Sequence, residues 1–231
     1  MGSLSIDHGF TAYGTSHWVV LVLFAVGVAA VVAIGRRRPS RRFSRWFAGV
    51  VLVLEVAIHA YLMLPPRWDV QHSLPLQLSD LAGPVAAYAL WSQRRWAFAL
   101  TYYWGLTLSV QALVTPVLRV DFPDLGFLLF WATHLFVVWA AVYLTWGLGL
   151  RPDWRGYRLA VLITVVWAAA VFVLNLALGS NYGYVNRKPP TGSVLDLLGD
   201  WPWYLVPESA AVLLVWALMT WPWTRRGSRR S

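Results

Sequence analysis

The stretch HWVVLVLFAVGVAAVVAIGRRRPSRRFSRW, His17–Trp46, decides the fold. Its first part, from Trp18 to Gly35, holds no ionisable residue. At ~1.5 Å per residue such a run crosses the hydrocarbon core of a bilayer as one helix. Arg36, Arg37, Arg38, Arg41, Arg42 and Arg45 follow at once. No basic segment precedes the run and no small-residue cleavage site closes it, so it reads as a retained membrane helix. Six more predominantly apolar runs of spanning length follow, at about 46–64, 74–92, 96–114, 126–148, 157–179 and 202–221. Pro65 and Pro66 end the second, because proline cannot continue the hydrogen-bond ladder. The 231 residues are 58% hydrophobic, above the roughly 45–50% of a soluble domain. The expected fold is all-α: a polytopic seven-transmembrane-helix bundle forming a single domain over residues 1–231.

Seven spans make a specific prediction about charge. If the loop 36–45 is inside, the inside segments also hold Arg94, Arg95, Arg151, Arg155, Arg158, Arg225, Arg226, Arg229 and Arg230. Only Arg67, Arg119, Arg187 and Lys188 remain outside. Basic residues favour the cytoplasmic side, so the N-terminus is expected outside and the C-terminus inside a cell membrane. The net charge of +9 is thereby read as topology signal and contact with anionic lipid, not as a nucleic-acid surface. The 16 tryptophans include Trp18, Trp46, Trp68, Trp201, Trp203, Trp221 and Trp223 near span ends, as an interfacial belt requires. The chain has no cysteine, which excludes disulfides, thiolate metal sites and a cysteine nucleophile. The single lysine, Lys188, falls in a loop, so no helix offers a Schiff-base amine to a retinal. No cofactor is expected and no metal site is assigned, though His17, His59 and His134 with Glu55 or Asp80 offer the imidazole and carboxylate ligands that suit zinc, with no spacing that fixes a site.

The polar residues inside the spans fall in one half of the membrane. A carboxylate in a lipid-embedded helix costs about 3 kcal/mol or more unless it faces protein or water. On this topology His59 lies roughly 8 Å and Glu55 roughly 14 Å below the outer end of the second helix, on one face. Gln77 and Asp80, in LPLQLSDLAGP (Leu74–Pro84), share a face of the third helix. Thr107, Gln111, His134 and Glu208 fall in the same half, while the inner halves are almost purely apolar. The pattern implies an outer-half polar cavity. Structural readings stand beside it: Glu55–His59 as a buried pair, His134 satisfied by a carbonyl, Gln111 as glue between helices. The connection NYGYVNRKPP (Asn181–Pro190), followed by SVLDLLGDWPWY (Ser193–Tyr204), reads either as a lid over that cavity or as an interfacial segment anchored by Trp201 and Trp203. Pro202 is expected in the first turn of the last helix.

YGTSHW (Tyr13–Trp18), LPLQLSDLAG, His134 and NYGYVNRKP…SVLDLLGDWPWY together resemble the YwaF-type family of bacterial integral membrane proteins. That family is related to an animal seven-helix acyltransferase that remodels ether phospholipids. Its third-helix motif reads like LPLHLC, and the animal relative is thought to use the cysteine as acyl acceptor with a helix-5 histidine assisting. The matching positions are Ser79 for the cysteine, Gln77 for the motif histidine and His134 for the assisting histidine. With no thiol, the resemblance implies acyl transfer or lipid hydrolysis through Ser79, which needs a base such as His134 with a carboxylate such as Asp80 or Glu55 orienting the ring. Because residues 79 and 80 point about 100° apart on a helix, Glu55–His59 or His134, not Asp80, is expected to serve Ser79. The implied binding residues are Gln77, Asp80, Glu55, His59, Gln111, Asn181, Tyr182 and Glu208. The implied partners are membrane lipids and an acyl donor. The alternative is a non-catalytic binder or transporter of a lipid or small solute on the same scaffold.

Overall fold

The computed structural model describes residues 9–116, 118–188 and 197–225. Pro189, Pro190, the start of the 193–200 segment and the last three tail arginines lie outside the described residues. All regular structure among them is helical: α1 (Thr15–Arg37), α2 (Arg41–Leu62), α3 (Leu78–Ser92), α4 (Arg95–Val114), α5 (Leu125–Val142), α6 (Trp154–Leu178) and α7 (Leu205–Arg225). Six of these helices are long and apolar enough to cross a membrane. The seventh, α3, has 15 residues and packs between α2 and α4.

Local chemistry sets the ends. The Ser40 hydroxyl accepts from Phe43 N and starts α2 five residues before the expected Trp46, so Arg41, Arg42 and Arg45 belong to its first turns. α3 starts at Leu78 rather than Leu74, because Asp80 Oδ2 accepts from Gln77 N at 2.9 Å and fixes Gln77 as its N-cap. α5 does not run evenly to Leu148. It widens at Tyr143–Gly147 into a π-helical turn, closed by Leu148 N donating to Tyr143 O at 2.8 Å. Pro202 lies in a turn ahead of α7, which begins at Leu205. That turn is pinned from outside: Trp201 Nε1 donates to Val185 O and the Tyr204 hydroxyl to Tyr184 O.

α2, α3, α4 and α5 form the central group, each packed on its neighbours, with α2 and α3 both reaching α5. α1 packs against α5 and its π turn, α6 against α4, and α7 against α6. Small residues make the closest approaches, as membrane helices require when no hydrophobic effect drives them together. A Cβ on Gly27 would fall 2.1 Å from the Trp139 indole, and one on Gly35 would fall 2.5 Å from Gly147 Cα. The Trp139 indole seated there donates to Phe24 O at 3.1 Å. The π turn thus brings Gly147 backbone to backbone with α1. Facing outward, α1, α6 and α7 expose Val19, Val22, Val26, Leu162, Val165, Val173, Leu176, Leu214 and Leu218. An apolar exterior on this scale is the surface of a protein whose solvent is lipid.

Helix ends fall into two layers. One gathers the arginines: Arg36 Nε donates to Trp146 O, Ser44 Oγ to Leu90 O, Arg45 lies 5.1 Å over Trp91, and Trp223 Nε1 donates to the Tyr102 hydroxyl. The other gathers Tyr13 with Val114, Ser16 with Asp121, Tyr61 with Asp124 and Gln71 with Gly179. Successive helices therefore run up and down between a basic end and an opposite end.

Replacing Gly27 by Leu should displace the Trp139 indole and break its bond to Phe24. The expected cost is about 1–3 kcal/mol of overpacking strain, read as a lowered Tm in detergent. An unchanged Tm would show that α1 is not seated on α5 in this way.

Candidate functional site

A cavity of about 360 Å³ opens inside the central group at the end opposite the arginines. α2 contributes Glu55, His59 and Tyr61, α3 contributes Ser79 and Asp80, and α4 contributes Ser109. α5 contributes Gly126, Phe130, Thr133 and His134, and the connection before it covers one side with Leu118 and Val120. Five of the ten residues singled out from the sequence thus meet: Ser79, His134, Glu55, His59 and Asp80.

Helical geometry gives each a defined role. His134 and His59 both turn Nδ1 to the carbonyl one turn back, to Phe130 O at 2.7 Å and Glu55 O at 2.8 Å. A carbonyl only accepts, so in the neutral rings Nδ1 carries the proton and Nε2 carries the lone pair. Among the described residues neither Nε2 has a hydrogen-bond partner. The ring of His134 is therefore oriented by the Phe130 carbonyl, the structural reading of this residue, and not by a carboxylate. Glu55 instead sits 3.9 Å from its own helix neighbour His59. Asp80 has one oxygen committed to capping α3. Beyond it on α3, Ala82 and Gly83 are buried. A Cβ on Gly83 would meet Glu55 Oε1 at 2.0 Å, so the bare glycine backbone is what leaves room for the carboxylate. Pro84 offers no N–H to the carbonyl of Asp80 four residues back, leaving that oxygen without its helical donor.

His17 has the opposite character. Fully buried, it accepts from Tyr13 N at Nδ1 and donates from Nε2 to Leu113 O at 2.8 Å, stacked on Trp131. Both nitrogens are spent, and YGTSHW is a clamp holding the start of α1 to the end of α4.

The remaining candidates lie elsewhere. Gln77 Oε1 accepts from Gly183 N at 2.9 Å, so its amide ties the start of α3 to the 181–188 connection. Asn181 folds that connection on itself, accepting from Asn186 N and Arg187 N and donating to Arg187 O. Tyr182 is fully buried, its hydroxyl donating to Val70 O and accepting from Leu74 N. Burial raises the pKa of that hydroxyl and so keeps it protonated. Gln111 is exposed on the outer surface of α4, and Glu208 stands on α7; neither lines the cavity. The polar atoms of Gln77, Asn181 and Tyr182 are used in joining two connections, which separates them from the cavity group.

Two contributors escaped the sequence reading. Asn175, within VFVLNLALG of α6, donates to Tyr182 O and Asn186 Oδ1 and accepts from Ser180 Oγ and Tyr182 N. A buried amide in an apolar run is a signal visible in the sequence. Asp124 Oδ1 accepts from Gly126 N at 2.6 Å, starting α5, and from the Tyr61 hydroxyl at 3.3 Å. Among the described residues no three His, Asp or Glu side chains come close enough together to hold a metal ion.

Residues 12–220 match the family model described as the TMEM164 family, and the chain belongs to that family. No curated protein and no solved structure matches it.

Asn175→Ala should strand four hydrogen-bonding groups of the 180–186 segment, at about 1–3 kcal/mol for each one left unsatisfied. Limited proteolysis in detergent should then cut between 180 and 188, where the parent protein resists. Equal resistance in both would show that the amide does not hold this connection.

Proposed function

We propose that this TMEM164-family membrane protein crosses the cell membrane seven times, N-terminus outside, and acts on the acyl ester of a membrane lipid in its outer-half cavity. The topology is supported by the gathering of exposed arginines at one end of the bundle. α3 spans roughly 22 Å at ~1.5 Å per residue, and the non-helical residues 74–77 extend it toward the opposite end. The relation to the YwaF-type proteins, and through them to an acyltransferase, rests on YGTSHW, LPLQLSDLAG, His134 and, most specifically, NYGYVNRKP…SVLDLLGDWPWY, and belongs to the same proposal.

The single observation that carries the chemistry is that Ser79 and His134 line one cavity, with His134 Nε2 left as the basic nitrogen. A serine hydroxyl becomes a nucleophile only beside a base. In the reaction so read, Ser79 Oγ passes its proton to His134 Nε2 and bonds to the ester carbonyl carbon. The ester's alcohol oxygen leaves with that proton. A water molecule, or the hydroxyl of an acceptor lipid, then gives a proton to the same nitrogen and attacks the acyl-serine. Ser79 leaves with the proton, completing hydrolysis or transfer. Glu55, His59 and Asp80 supply acceptors for the lipid's polar headgroup, and a phospholipid is the acyl donor.

A second reading, non-catalytic binding or transport of a lipid or small solute, is favoured by one observation. Among the described residues, Ser79 and His134 share no hydrogen bond. Its cavity, residues and lipid partner are the same; only the covalent step is missing.

A lipid-like fluorophosphonate should label the purified protein covalently, and Ser79→Ala should abolish the label. His134→Ala should slow labelling by roughly 10²–10⁴-fold, the usual contribution of a general base. Labelling that survives Ser79→Ala sinks the serine mechanism. An unlabelled protein that co-purifies with lipid in the cavity supports the binder instead.

A further inference from the structure

A second hollow, of about 250 Å³, lies at the basic end between the starts of α4 and α6. Three arginines reach it from three directions: Arg95 from the first turn of α4, Arg151 from the connection after the π turn and Arg155 from the first turn of α6. All three are exposed, and among the described residues none pairs with a carboxylate. The one acidic residue present, Asp153, is committed to capping α6, its Oδ1 accepting from Gly156 N at 2.7 Å. α4 has no side-chain cap and no acidic residue in its first turn, so its leading amides add to the positive field. The same hollow is lined by the apolar side chains of Trp96, Phe98 and Leu159. Trp96 is fixed by stacking on Tyr88 at 5.2 Å.

Guanidinium groups bind phosphate oxygens in a planar, bidentate fashion and desolvate more readily than ammonium groups. A hollow that joins three arginines to apolar side chains, at the starts of two membrane-spanning helices, matches a molecule that carries both phosphate and hydrocarbon. We propose that this hollow binds the phosphate of an anionic glycerophospholipid, with Arg95, Arg151 and Arg155 on the headgroup and the acyl chains running down beside Trp96 and Leu159. The site is distinct from the cavity at the opposite end and does not depend on the chemistry assigned there. The diffuse attraction of a basic surface for anionic lipid gives no reason for three arginines to converge on one hollow; a bound phosphate does.

Native mass spectrometry of the purified protein, supplied with phosphatidylglycerol or phosphatidylcholine, tests the proposal. The parent protein should retain phosphatidylglycerol and release phosphatidylcholine. The triple variant Arg95→Gln, Arg151→Gln, Arg155→Gln should retain at least roughly tenfold less phosphatidylglycerol. A control of equal charge, Arg37→Gln, Arg38→Gln, Arg41→Gln, should retain as much as the parent. If the triple variant does not fold, Arg151→Gln alone, which lies outside every helix, carries the same comparison with a roughly fivefold loss. Equal loss in the control, or no loss in the triple variant, overturns the site. Displacement of the lipid by millimolar inorganic phosphate would identify a soluble anion as the ligand and overturn the lipid assignment.

Discussion

Two carboxylates inside a bundle whose solvent is lipid are the constraint on which the rest of this structure depends. Glu55 and Asp80 cannot face hydrocarbon without a cost of about 3 kcal/mol or more each. Glu55 is accommodated by the missing side chain of Gly83, by its own-helix neighbour His59 and by a cavity that its carboxylate helps to line. Asp80 is accommodated by spending one oxygen on the start of α3. These solutions hold α2 and α3 in one register and bring Ser79 to the cavity wall. α5 completes the wall, with Phe130 and His134 a turn apart and their rings 4.4 Å between centroids.

The end of the bundle beyond this cavity is built to keep α3 where it starts. Gln77 reaches Gly183, Tyr182 reaches both Val70 and Leu74, and Trp167 of α6 donates to Leu76 O at 3.1 Å. Asn175 in turn holds Tyr182 from beneath. The residues that precede the capped turn are therefore pinned from the α6 side, while the cavity opens on the α5 side. Positive backbone angles at Gly183 (φ 66°) and Tyr184 (φ 53°) let the connection fold back sharply enough to make these contacts. The 181–188 connection acts as a brace on α3 in this arrangement, while residues 189–196 of the stretch read as a lid or an interfacial segment lie outside the described residues.

The all-helical fold could be read directly, because apolar runs punctuated by arginine and proline carry their own length and polarity. Glu55 with His59 was readable for the same reason: four residues on a helix always share a face. Other features depended on partners distant in sequence. Gln77 and Asp80 share a helix face in principle, yet the cap turns one toward its own backbone and Gly183 draws the other away. Gln111 has the same polarity as the cavity residues but faces outward, and only the packing of α4 decides this. His17 and His134 are both isolated histidines in apolar surroundings; what separates them is whether Nε2 meets a carbonyl, and Leu113 lies 96 residues from His17. The π turn in α5 carries Gly147 against Gly35 of α1, a contact between two glycines that no local pattern announces.

Because the chain has no cysteine, the location of the cavity can be measured without a background. Single cysteines at Ser79, at His59 and at Ala86 would be exposed to a membrane-impermeant maleimide, first on intact cells and then on inverted vesicles. A cavity in the outer half predicts that Ser79→Cys and His59→Cys react from outside, while Ala86→Cys, fully buried toward the basic end of α3, reacts from neither side. Labelling of Ser79→Cys and His59→Cys from the inside only, or of one without the other, would contradict a single outward-reached site.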